Sequence, residues 1–261
     1  PSPNYGHTSM LRVMRFSDHQ AERFWRIETL GADLMTNWGK IGTSGRYEVK
    51  TFSSETECEE RAQQLVDTKI KAGYQDYPEF DPNQSFYYDD DETGLHPLTS
   101  HPAFRKYFSS EVYYSSIQDA APFGNDEGSD ALWELSDLLR RRPKADLTNY
   151  PASLLTKLYH LPFCPPKGET KEELEAQRGI ILGDRDTLEQ LRRTDRVIVA
   201  LALAQVKITG ELSKQLYDLA LRSLERLGKL KSIGVTVRCS VELLAEERSD
   251  LETYASSVPL V

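Results

Sequence analysis

Cysteine is scarce in this chain: three in 261 residues, Cys58, Cys164 and Cys239, with no two close together. An odd, scattered set supplies neither a disulfide framework nor a Cys-rich zinc site. A reducing, cytoplasmic compartment is the expectation. Long apolar runs are also missing. The longest, Val197 to Ala204, falls far short of the roughly 20 residues of a membrane span. No basic stretch followed by an apolar one marks the start as a secretion signal. The five histidines are scattered. There is no phosphate-binding Gly-x-x-x-x-Gly-Lys-Ser/Thr loop, no His-Glu-x-x-His and no Gly-x-Ser-x-Gly elbow. Catalysis and cofactors are therefore not expected.

What is present is ordinary core material, 39% hydrophobic, with 28% charged residues and a net charge of −9. The charge is unevenly spread. Residues 1–80 sum to −2, residues 81–130 to −8 and residues 131–261 to +1. A chain with this balance is a poor non-specific binder of phosphate backbones, which need clustered cations. Any nucleic-acid role must be local and geometric.

Four segments follow. Residues 1–10 are read as a tag remnant or a disordered start, because Pro1–Ser9 is small and polar ahead of Met10. Residues 11–80 read as a compact α+β unit. Phe24–Leu30, Leu34–Ile41 and Arg46–Phe52 carry aromatic and branched residues of strands, separated by Gly31-Ala32-Asp33 and by Gly42-Thr43-Ser44-Gly45. Ser54-x-x-Glu57 is a capping box opening a helix to about Ala72. Residues 81–98, rich in Pro, Asp and Tyr, read as an exposed acidic linker. Residues 99–261 read as a mainly helical domain. Its Asp126, Glu127 and Asp130 lack the spacing of a calcium loop, and Ser129 or Asp130 is the expected cap of the helix that follows.

The blocks Phe24-Trp25-x-Ile27, Trp38-Gly39-Lys40-Ile41-Gly42, Gly45, Phe52 and Lys69-x-Lys71-x-Gly73-Tyr74 resemble the WGR domain. That module occurs in poly(ADP-ribose) polymerases and in many bacterial proteins. The run Pro122-Phe123-Gly124-Asn125-Asp126-Glu127-Gly128-Ser129-Asp130 is similar to YfeS-like bacterial proteins, a resemblance that brings no known chemistry. The WGR resemblance implies a small antiparallel sheet with one packed helix. It also implies contact with DNA ends or nicks, the signature Trp packing on a sugar or base and the Arg on the backbone. Carried over, Trp38 is the stacking residue, set against a structural role in the sheet, and Gly39 lets a ligand backbone approach. Lys40 stands where the signature has Arg, so the planar fork is lost and a point charge remains. Arg46 across the turn is the residue placed to compensate. Lys69 and Lys71 read as a solvated helix end, and Trp25 as core. A different reading gives Asp89, Asp90, Asp91 and Glu92, interleaved with Tyr87 and Tyr88, to a basic protein partner.

Overall fold

A computed structural model describes residues 10–19 and 21–261; the expected tag remnant, short of Met10, lies outside them. The chain divides into two compact units, one running to Tyr114 and taking in Lys207–Gly210, the other comprising Ser115–Val206 and Glu211–Val261.

The first unit is built on a five-stranded antiparallel sheet of order β4-β3-β2-β1-β5. Its strands are β1 (Met10–Ser17), β2 (Glu22–Leu30), β3 (Asp33–Lys40), β4 (Arg46–Thr51) and the two-residue β5 (Gln75–Asp76). One helix, α1 (Glu55–Lys71), is capped as expected: Ser54 accepts from the Glu57 amide. Because strand side chains alternate, each face collects its own set. Trp25, Ile27 and Leu34 meet Cys58, Ala62 and Val66 of α1 on one face.

The opposite face is covered by chain that the sequence reading made a linker. Tyr87, Tyr88, Pro97 and Leu98 are buried. The guanidinium of Arg26, fully buried in β2, lies 4.7 Å from the Tyr87 ring centre and 5.5 Å from that of Phe80, and it donates to the Tyr87 hydroxyl at 2.9 Å. Stacking on aromatic faces is the way a guanidinium is held away from water without a carboxylate at every donor. Beside it, buried Glu28 accepts from Arg105 at 2.7 Å; Arg105 lies in α2 (Pro102–Tyr107). Residues 81–98 thus belong to the first unit, and the division falls at Tyr114 rather than at residue 98. Length and acidity marked a linker; the tyrosines were the signal of burial.

Two histidines tie this covering down. His96 Nδ1 accepts from the Leu98 amide at 3.0 Å, and its Nε2 meets Asp33 at 3.1 Å. His101 Nδ1 accepts from the Ala103 amide at 3.1 Å, and its Nε2 donates to the Asn83 carbonyl at 3.0 Å. Both therefore act as helix N-caps in the neutral form.

The second unit is helical: α3 (Asp126–Arg141), α4 (Tyr150–Tyr159), α5 (Lys171–Ala176), α6 (Arg178–Gly183), α7 (Arg185–Thr209, its last turn counted in the first unit), α8 (Lys214–Ser232) and α9 (Val241–Ser257). The run Val197–Ala204 in α7 is buried throughout, as a helix apolar on all sides must be. The α3 cap is Asn125, accepting from the Gly128 amide, not Ser129 or Asp130. Asp195 of α7 and Arg226 of α8 form a buried two-pronged pair at 2.9 and 2.8 Å, and Arg226 also donates to the Cys164 carbonyl at 2.7 Å.

Candidate nucleic-acid interface

β3 places Trp38 directly between Trp25 on β2 and Arg46 on β4. The two tryptophans share the α1 face and differ in fate. Trp25 is 4% exposed, covered by the core; Trp38, one strand nearer the edge, is 39% exposed. Trp38 is thus exposed, as a contact residue must be.

Cations frame it. Arg23 stands opposite Lys40 in the β2–β3 register, Lys40 is two residues beyond Trp38, and Arg46 is its cross-strand neighbour. All three are exposed, and alternation puts them on the α1 face with Trp38. Like charges directly opposite destabilise a strand pair. Arg23 facing Lys40 is therefore a local cost that an incoming anion would relieve. Arg23 escaped the sequence reading because it lies outside the signature; only the pairing register reveals it.

The loop holding Lys40 and Arg46 is fixed from below. Buried Asn37 donates to the Ser44 and Arg46 carbonyls at 2.9 and 3.0 Å. Gly39 has a different role from the one expected. A side chain there would reach Gly45 Cα at 2.7 Å and the Phe24 ring at 3.4 Å. Its bareness serves the fold's own close approach, not a ligand's. Gly45, at φ +69°, completes the contact.

Lys69 is not a solvated helix end. Its ammonium lies 5.4 Å from the Trp25 ring centre and 4.9 Å from that of Tyr74, and partial burial lowers its proton affinity.

The acidic segment is largely committed elsewhere. Asp89 takes Lys207 and the Thr99 hydroxyl, both at 2.7 Å. Asp90 accepts from the Val49 amide of edge strand β4 at 3.1 Å, closing part of an edge that would otherwise invite pairing. Asp91 and Glu92 are exposed. Among the acids weighed for a metal, Glu127 meets Arg196 at 3.3 Å and Asp130 accepts from the Tyr159 hydroxyl at 2.7 Å. Among the described residues no three metal-ligating side chains converge.

The WGR domain family matches residues 10–81. Along most of its length the chain is similar to the Escherichia coli "Uncharacterized protein YfeS", 32% identical over 217 residues, 83% of this chain and 86% of YfeS. The chain belongs to the YfeS family. A 64-residue stretch is also similar to Escherichia coli "Protein YehF", 31% identical, covering 24% of this chain and 23% of YehF. A Bacteroides fragilis protein of known crystal structure is 29% identical over 40% of this chain and 31% of its own, at a TM-score of 0.26. For this YfeS-family chain the sheet and α1 are thus the WGR domain, and no described helix is long and apolar enough to cross a membrane.

Proposed function

We propose that this YfeS-family protein binds nucleic acid without catalysing a reaction on it, and that its WGR domain recognises DNA ends or nicks. The observation that carries this is the exposed Trp38 ring framed on one sheet face by Arg23, Lys40 and Arg46. An indole that stacks a base or sugar reads no sequence, and it is available only where the stack is interrupted. The cations add the phosphate term locally, within a chain whose net charge of −9 works against coating a duplex at random. The non-catalytic reading is supported by the prior commitment of Glu127 and Asp130 to hydrogen-bonded partners. A docking role for the acidic segment has weaker support, since Asp89 and Asp90 are engaged within the first unit.

The test is fluorescence anisotropy with labelled nicked, blunt and intact duplexes. Binding favouring nicks or ends, and lost in Trp38→Ala, is the expected result. Equal binding of all three duplexes by wild type and variant would sink the reading.

A further inference from the structure

Next to Trp38, on the same sheet face, the groove between α1 and strands β2–β4 opens into a pocket of about 240 Å³. That is just below the roughly 300–1,000 Å³ that encloses a drug-sized ligand, so it holds one flat group and not a length of strand. Its floor is apolar, formed by Trp25, Leu34, Phe52 and Leu65, and the Trp38 ring is one wall.

The rim is of one sign except at a single place. Lys50 on β4 and Arg61 and Lys69 on α1 surround the opening. Among the described residues neither Arg61 nor Lys69 lies within ion-pair distance of a carboxylate; Lys69 instead rests on aromatic rings. The exception is Glu48, which lines the pocket and meets Lys50 at 3.1 Å. Thr36 adds a hydroxyl beside it. An apolar slot lined by three aromatic side chains, with a carboxylate acceptor at its rim and, beside it, two cations without a carboxylate partner among the described residues, has a definite complement. It fits a group with a π-face, edge amino groups and an adjoining phosphate.

We propose that this pocket receives a single unstacked nucleotide, its base against Trp38 and its phosphate between Arg61 and Lys69. Glu48 accepts from an amino group on the base edge, as carboxylates do with exocyclic amines. The lysine and arginine meet the phosphate, Arg61 with its planar fork. The proposal rests on the WGR-face reading above and narrows it: the preferred strand end carries an unpaired nucleotide. A free nucleoside monophosphate offers the same chemistry.

The experiment compares, on the full chain, a blunt duplex with the same duplex bearing one unpaired terminal nucleotide. Adenosine monophosphate and inorganic phosphate are titrated separately. Arg61→Gln and Lys69→Gln are the variants, and thermal melts confirm that both fold; Arg61 is exposed, so its variant is safe for the core. The expected result is about tenfold tighter binding of the overhang duplex, the size of one base stacked on an aromatic face. Both variants should bring that ratio to about one while leaving blunt-end affinity within about twofold. Equal duplex affinities with saturable adenosine monophosphate binding, lost in both variants and not matched by phosphate, assign the pocket to the free nucleotide. Equal duplex affinities without monophosphate binding overturn the pocket and leave Trp38-dependent end binding standing. An overhang preference that survives both variants also overturns it. Monophosphate binding with no duplex bound overturns end recognition and leaves the pocket.

Discussion

Trp38 and Gly39 are neighbours with opposite obligations. Trp38 is 39% exposed, so its indole leaves a face open to a ligand while the rest is packed, and Trp38→Ala removes some buried apolar area as well as that face. The stacking it would supply is worth about 1–3 kcal/mol per base. The expected outcome is a modestly lower melting temperature, the chain still folded, with at least tenfold weaker end binding, read by anisotropy beside a thermal melt. Gly39→Ala should act chiefly on the fold. Its new carbon meets backbone at Gly45, 2.7 Å away, and overpacking costs about 1–3 kcal/mol. A lower denaturation midpoint is expected, and an unchanged one would show that the hairpin yields freely. The signature made both residues visible in the sequence. It could not say which of them faces a ligand, because that depends on what Gly45 and Phe24 occupy. Glu247 in α9 is a third case. It is almost fully buried, and burial, then Glu246, pushes its proton affinity up to about 8, with Arg196 opposing and Asp250 adding. The folded form thus keeps a proton that the unfolded chain gives up, so stability falls as pH rises from the ordinary glutamate value toward 8. Glu247→Gln should flatten that fall, seen as a smaller difference in melting temperature between pH 5 and pH 8.

At the scale of elements, β2, β3, β4 and α1 were legible because their signals are local: aromatic and branched strands, glycine turns, a Ser54 cap. β1 was not. Met10, Arg12 and Met14 lie on one face and Leu11, Val13 and Arg15 on the other, so apolar residues fall on both sides and no clean alternation appears. The cover of the far sheet face was hidden for a different reason. Its acids Asp89 and Asp90 look solvated in sequence, and their partners Lys207 and Val49 lie far along the chain. The α8 helix shows the limit of glycine as punctuation: Gly228 lies inside it and Gly234 just beyond its end. The two histidine caps of the cover make a prediction of their own. Burial lowers the proton affinity of both His96 and His101, opposed at His96 by Asp33 and at His101 by the hydrogen bond to Asn83. Protonating Nδ1 would abolish each cap. With folded values below the unfolded one, the stabilisation is whole above about pH 6.5 and is lost as pH falls below it. Each cap is worth about 0.5–2 kcal/mol. His101→Asn, which keeps a cap acceptor, should lessen the acid loss of amide exchange protection at Ala103.

For the whole molecule, the sign of the charge is less informative than its placement. The −8 of residues 81–130 suggests an acidic surface. In the fold, Asp89, Asp90, Asp119 and Glu127 are engaged with Lys207, the Val49 amide, Arg238 and Arg196 within their own units. Around Trp38 the exposed charges are mostly positive, Arg23, Lys40 and Arg46, with Glu48 a carboxylate among them. An acidic chain with a basic WGR face should bind a structural feature of DNA and not its bulk, and should do so with the salt dependence of a few phosphate contacts.

That contrast sets the most direct measurement: anisotropy of wild type and Trp38→Ala against nicked, blunt and intact duplexes of one sequence, at two salt concentrations. The account predicts that wild type prefers the nicked and blunt duplexes, that raising salt weakens all binding, and that the variant loses the preference. Binding to all three duplexes with the same affinity, unchanged by Trp38→Ala, would contradict it.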